Sequence, residues 1–333
     1  MKKIIALVLS LLLTMGLAAC GNSASSSAAS EKSSSSGSSW PSKPITLVVP
    51  WSAGGDTDFH ARTLGQYLEK ELGVSVTVVN TTGGGGSVAS NAVKEAEPDG
   101  YTFLAFDSAI ALNQASGITD FGYEAFEPVC LIGKSCGEFM VVRSDFPCNT
   151  VQELVDYTKE HPGEVIMAAN TGATSYYAAT KLQEAGAQFN IVNAGSSSER
   201  VASLIGKQID VSVNAYGVIK QYIQTGELKV LGCLATERSD AYADISTAKE
   251  QGVDCAYDLI YNILAPKGTD PAVVAKLNEA CQKVVENNSD YAAAIKDSYG
   301  ELPFFMGTQQ ATSYLQQESN MYLAYADVFQ KKS

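Results

Sequence analysis

The sequence predicts an α/β protein of two lobes, on three grounds. A short β-branched run gives way to a glycine-rich loop and then to helical spacing in "ITLVVPWSAGGDTDFHARTL", and the same order follows in "VSVTVVNTTGGGGSVASNAV". It returns in the second half of the chain as "VIMAANTGATSYYAATKLQEAG". Strands alternating with helices in this way indicate helix-covered sheets whose successive strands run parallel. The body that follows the N-terminal leader, about 290 residues, also exceeds the usual size of a single hydrophobic core.

The leader comes first. Met1-Lys2-Lys3 gives a positive start, and the apolar run at residues 4–17 is shorter than the roughly 20 residues that span a bilayer. Leu17-Ala18-Ala19-Cys20 then resembles a bacterial lipobox, which implies a signal peptide at 1–19 and lipidation of Cys20. Residues 20–40 are mostly Ser, Ala and Gly, too polar to bury a core, and are expected to tether the body to the membrane. Loss of Lys2 and Lys3 with the signal takes the formal charge from -13 to -15. So acidic a surface excludes nucleic acid as a partner, because phosphate binding needs basic groups. The six cysteines beyond Cys20 are irregularly spaced and expected to be free and buried, with Cys130/Cys136 the candidate pair if any bridge forms.

The body begins with the strand at 45–49, and Ala61, Leu64, Leu68 and Leu72 then follow helical spacing until Gly73 stops the helix. Val74, Val76 and Val78 alternate as a strand does. "PDGYTFLAF" turns into a third strand and "FMVVRSDF" reads as another. Thr150-Val151-Gln152-Glu153 has the form of a capping box, and the helix it opens ends before His161-Pro162-Gly163. "IDVSVNAYG" and "LKVLGCLA" are later strands. Pro271 suits the first turn of a helix whose apolar face is Val273, Leu277, Ala280 and Val284. A tyrosine-rich helix is expected over residues 309–328.

In open α/β sheets ligands bind at the carboxyl ends of strands, so the three loops rich in small residues are the candidate site. A glycine loop leading into a helix bares backbone N–H groups at the positive end of the helix dipole and favours an anion. "TTGGGGSVAS" lacks the Lys-Ser/Thr of a P-loop, and neither glycine loop fits G-x-G-x-x-G. His60 and His161 are expected to be surface or partly buried residues rather than bases, no serine lies in G-x-S-x-G, and no cluster has metal-ligand spacing. Asp58 and Arg62 form an i, i+4 pair. No catalytic residue, cofactor or metal is expected.

Residues 41–104, from "PSKPITLVVPWSAGGDTDF" to "PDGYTFL", resemble the opening of the solute-binding proteins of tripartite tricarboxylate transporters, the TctC or Bug family. "TGATSYYAA", "LIGKQIDVSV", "GELKVLGCLATERS" and "LAPKGTDPAVVAKLN" then follow in that family's order. The resemblance implies a two-lobed periplasmic-binding-protein type 2 (Venus-flytrap) fold, with lobe 1 at 41–144 and 259–333 and lobe 2 at 145–258. It implies an extracytoplasmic, lipid-anchored monomer that captures a small carboxylate between the lobes and delivers it to large and small membrane subunits. Contacts would come from Ser52, Ala53, Gly54, Gly55 and Asp58, from Gly83, Gly84, Gly85, Gly86 and Ser87, and from Asp107 and Ser108. The opposite lobe would add Thr171, Thr174 and Tyr176, with Asn193 and Asn214 at later strand ends.

Asp56 and Asp107 stand where that family is commonly uncharged, and Asn193-Ala194-Gly195-Ser196 replaces its Pro-Tyr-Lys-Gly stretch. Three carboxylates without a lysine or arginine in the loops disfavour a tricarboxylate and suit a monocarboxylate or an amino-acid-like ligand. Two other functions share the cleft: an enzyme using the aspartates as acid and base, and a sensor subunit.

Overall fold

The structure, a computed structural model, describes residues 40–331. The expected signal peptide, Cys20 and all but the last residue of the 20–40 tether lie outside the described residues. Strands β1 (Ile45–Val49), β2 (Val76–Asn80), β3 (Thr102–Asp107) and β4 (Phe126–Lys134) alternate with helices α1 (Asp56–Leu72), α2 (Ser87–Lys94) and α3 (Ala109–Ala115). The chain then passes to β5 (Glu138–Arg143), α4 (Val151–Glu160), β6 (Ile166–Ala168), α5 (Thr174–Glu184), β7 (Asn190–Val192) and α6 (Ser197–Ile205). It continues through β8 (Val211–Ala215), α7 (Tyr216–Gln224) and β9 (Leu228–Cys233), and returns with β10 (Ile260–Pro266). Helices α8 (Pro271–Asn287) and α9 (Ser289–Tyr299), strand β11 (Met306–Gly307), and helices α10 (Thr308–Leu323) and α11 (Ala326–Lys331) complete it.

Two sheets result, one of six strands in the order β11-β4-β10-β3-β1-β2 and one of five in the order β7-β6-β8-β5-β9. Each contains the expected parallel βαβ unit, β2-β1-β3 in one and β7-β6-β8 in the other. Neither is wholly parallel. Strands β10 and β5 each enter from the opposite half of the molecule, so they run antiparallel to both neighbours.

Successive strand residues supply opposite layers, as the pleat requires. Leu47 and Phe103 pack under α1 and α8 with Leu64, Leu68 and Leu277, while Val48, Leu104 and Phe106 face Ala89 and Leu315. In the second sheet Met140 and Val142 meet Leu154 and Leu182, and Phe139 and Val141 meet Val201 and Ile219. Each such side chain taken fully out of water contributes about 1.5–3 kcal/mol.

Helix ends follow the expected chemistry. Gly73 closes α1 at φ 70 with its N–H on Glu69 O. Thr150 caps α4, and Glu153 reaches back to the N–H of Asn149 at 2.7 Å. Pro271 opens α8 behind the Asp270 cap. The glycine run also has a structural duty, since Gly83, Gly84, Gly85 and Gly86 all adopt positive φ. A Cβ on Gly86 would sit 2.5 Å from Phe106 Cζ.

Several expectations need correction. The chain changes sheets at residues 135–137, ahead of the expected 144/145 boundary, because the "FMVVR" strand pairs with β8 and β9. The expected helix at 309–328 breaks at Ala324 and Tyr325, and Tyr322 and Phe329 leave the first half to enter the core beside Tyr177. The body's six cysteines are free thiols as expected, but Cys136 is only half-buried, and Cys130 faces Cys281 rather than Cys136. His60 is not a surface residue: it is 1 % exposed, stacked 3.9 Å from the Tyr261 ring, with Nε2 3.1 Å from Glu301 Oε2.

Candidate functional site

Three helices begin at the boundary between the sheets. Their N-cap residues, Gly55 of α1, Ala173 of α5 and Ser196 of α6, all line one small cavity of about 30 Å³. That is room for about one water molecule, so a larger solute fits there only as the two halves separate. Neither Gly55 nor Ala173 provides a side-chain cap, which leaves first-turn N–H groups of α1 and α5 for other acceptors. Convergent helix starts favour a negative group.

The first half contributes Trp51, Asp56 and Asp107. Asp107 ends β3, and it accepts hydrogen bonds from Trp51 Nε1 at 2.6 Å, Thr57 Oγ1 at 2.7 Å and the N–H of Ala109 at 2.8 Å. Burial pushes its carboxyl up to about 7, and the charge of Asp56 adds to the rise against the pull of these donors. Asp56 accepts from the Tyr261 hydroxyl at 3.1 Å.

The second half contributes Thr174, Ser197, Glu138 and Arg200. Glu138 begins β5 and accepts from Tyr257 Oη at 2.8 Å. Burial raises its carboxyl, opposed by the Arg200 charge and a hydrogen bond with Thr174. Arg200, 6 % exposed, donates from Nε and Nη2 to Val213 O and from Nη1 to Gly195 O. Asn214 stands behind the cavity, donating from Nδ2 to the O and Oγ of Ser197 and so fixing the start of α6.

Of the residues expected from sequence, Gly55, Asp56, Asp107 and Thr174 line this cavity. Asp58 sits beneath its loop: it accepts from Gly54 N, Asn80 Nδ2 and Arg62 Nε at 2.8–3.0 Å. Burial raises its carboxyl, but the Arg62, Gly54 and Asn80 bonds outweigh that and hold it below the usual carboxylate range. Gly54 and Ala53 are exposed, Ala53 O accepting from Ser198 Oγ at 3.4 Å across the boundary, and Ser52 bonds Glu199.

The second glycine loop, with Gly83, Gly84 and Ser87, forms a contact between the halves rather than a wall of the cavity. Asn113 Nδ2 donates to both Gly85 O and Gly172 O at 2.9 Å, and Gly85 abuts the backbone of Thr171. Three expected residues point elsewhere. Ser108 is buried and donates to Glu318 Oε1 at 2.6 Å. Tyr176 is a core residue against Phe329. Asn193 is exposed and caps a turn at Gly195.

Sequence reasoning missed Trp51, Glu138, Ser196, Ser197 and Arg200. Two signals were present: Ser196 and Glu199 have capping-box spacing right after a strand, and Glu138 is a charge in an otherwise apolar run. The loops hold no lysine or arginine, as expected, but Arg200 brings a cation to the cavity from α6, which the loop-based reading did not consider.

A family model described as "Tripartite tricarboxylate transporter family receptor" matches residues 60–325. The chain belongs to that family. Its relatives include the protein BugT of Bordetella pertussis (strain Tohama I), 28% identical over 258 residues that cover 75% of this chain and 79% of BugT. The solved structure of the periplasmic binding protein BugD superposes at a TM-score of 0.79 with 28% identity, covering 88% of this chain and 98% of BugD. MatC of Rhodopseudomonas palustris, solved with bound malate, shares the fold at a TM-score of 0.79 and 24% identity, covering 86% of this chain and all (100%) of MatC. This receptor is therefore an extracytoplasmic solute-binding protein with a two-sheet periplasmic-binding-protein fold, not an enzyme. Among its described residues no helix is long and apolar enough to cross a membrane.

Proposed function

We propose that this receptor, tethered through lipidated Cys20, captures a small carboxylate between its two halves and delivers it to the large and small membrane subunits of a tripartite tricarboxylate-type transporter. The convergence of three helix starts and Arg200 on one small cavity carries this reading. Asp56, Asp107 and Glu138 line the same cavity, which beyond Arg200 has no cation, so a further carboxylate on a ligand meets other carboxyl groups and a monocarboxylate fits better than a tricarboxylate. Ligand-stabilised closure gives the transporter a shape to recognise.

A binder raises the melting temperature because it stabilises the folded state by RT ln(1 + [L]/Kd). Monocarboxylates are expected to raise it and citrate to leave it unchanged. Selective stabilisation by citrate would overturn the charge argument, and indifference to every carboxylate tried would overturn the receptor reading of this cavity. The anchor is tested in cells: Cys20→Ala should move the protein from the membrane fraction to the soluble extract, and continued membrane association would exclude lipidation at Cys20.

A further inference from the structure

We infer that the ligand is a small zwitterion, an α-amino acid, held with its carboxylate against the five-stranded half and its ammonium against the six-stranded half. This deepens the small-carboxylate reading and rests on it. The cavity is divided by charge. On one side stand Asp56 and Asp107, with no lysine or arginine among the lining residues of that half. On the other stand the starts of α5 and α6 and the Arg200 guanidinium, with the Glu138 carboxyl as the one acid of that half.

Neither side is closed by an ion pair among the described residues. The bonds that Arg200 makes through Nε, Nη1 and Nη2 all end on backbone carbonyls, and among the described residues it forms no ion pair. Glu138 feels its charge but is itself engaged by Tyr257 and Thr174. A guanidinium has five N–H donors, so two remain for a carboxylate. Asp56 has the Tyr261 hydroxyl as its hydrogen-bond donor, and its charge adds to the cost of ionising Asp107. An ammonium between these two aspartates relieves that repulsion as the halves close.

Simpler ligands satisfy one side only. A dicarboxylate sets its second carboxylate against Asp56 and Asp107, and an amine without a carboxylate leaves Arg200 and the helix starts unanswered.

Calorimetric titration of the purified receptor with the common amino acids, and with the 2-hydroxy acid and the decarboxylated amine matching each, tests the inference. At least one amino acid should bind about tenfold or more tightly than both of its analogues, since each analogue forfeits a charged hydrogen bond. Asp56→Asn should abolish the preference over the hydroxy acid while the protein melts as the native chain does. Arg200→Lys should weaken both acids, and Asp107→Asn provides a second acidic variant if Asp56→Asn fails to fold. A hydroxy acid or dicarboxylate binding as tightly as any amino acid would overturn the zwitterion and leave the carboxylate receptor standing. An amino-acid preference untouched in both aspartate variants would overturn the placement of the ammonium. No binding of any carboxylate or amino acid by the folded protein would overturn both readings.

Discussion

A leucine at position 217 should weaken ligand binding by roughly five- to a hundredfold without preventing either half from folding. Gly217 lies in the first turn of α7, and a Cβ built there falls 2.5 Å from Cζ and 2.6 Å from both Cε atoms of Tyr299, at the end of α9. The ring has little room to retreat. It is 4 % exposed, packs 4.7 Å from Phe59 and 5.5 Å from His60, and its backbone oxygen is held by Tyr242 Oη at 2.7 Å. Helix α7 belongs to the five-stranded half through Ile219, and α9 to the six-stranded half through Ile295. Moving the helices apart is the available relief, and it stretches the bond from Lys220 Nζ to Asp297 O across the same seam. Overpacking costs about 1–3 kcal/mol, and here the cost falls on the closed state. Apparent affinity then drops with the fraction of molecules still able to close. Calorimetry with the best ligand reads the loss, and small-angle scattering should show a larger radius of gyration. Native affinity in Gly217→Leu would show that this seam takes no part in closure.

How much of this was legible in the sequence follows from the range of each signal. The loops after β1, β2 and β6 could be read because glycine, a β-branched strand and helical spacing are neighbours in the chain, and Gly55, Asp56 and Thr174 came with them, while Asp107 came with the end of β3. Arg200 could not be read in the same way, because its presence at the cavity depends on α6 standing opposite α1, a relation between distant segments. Tyr176 was misjudged for the converse reason. Its place after a candidate loop suggested the cleft, whereas α11, some 150 residues onward, supplies Phe329 as its partner. The sheet crossing at 135–137 was hidden because β4 and β5 are both apolar, and local pattern does not record which sheet a strand joins. Local patterns indicated two α/β lobes, the resemblance to the TctC family added the periplasmic-binding-protein fold, and the match over residues 60–325 bears it out.

The receptor should be most stable in mildly acidic solution and lose stability as the pH rises from about 5 to 9, the reverse of the usual behaviour of carboxylates paired in the folded state. Two buried acids set the direction. Burial pushes Asp107 up to about 7, with the charge of Asp56 adding to it. Burial also pushes Glu318 up to about 8, with Asp107 and Asp258 raising it further against the Ser108 hydrogen bond. In the unfolded chain both titrate near 4. Between about pH 4 and 8 the folded protein thus holds more protons than the unfolded one. The stabilisation is fully present below the unfolded value and is lost as the pH passes through the folded values. The gap corresponds to on the order of 4 kcal/mol for each group, reduced by whatever water reaches them on opening. Asp58 and Glu199 act in the opposite sense, since their partners hold them below the usual range and their contribution disappears only in stronger acid. A maximum on the acidic side of neutral is the net result. Glu318→Gln isolates one group, because a neutral amide imitates the protonated acid and still accepts from Ser108. Thermal melts at intervals from pH 5 to 9 should fall steeply for the native chain and more gently for Glu318→Gln, with the variant the more stable above pH 8. Parallel curves for the two proteins would mean that Glu318 keeps an ordinary carboxylate titration despite its 6 % exposure.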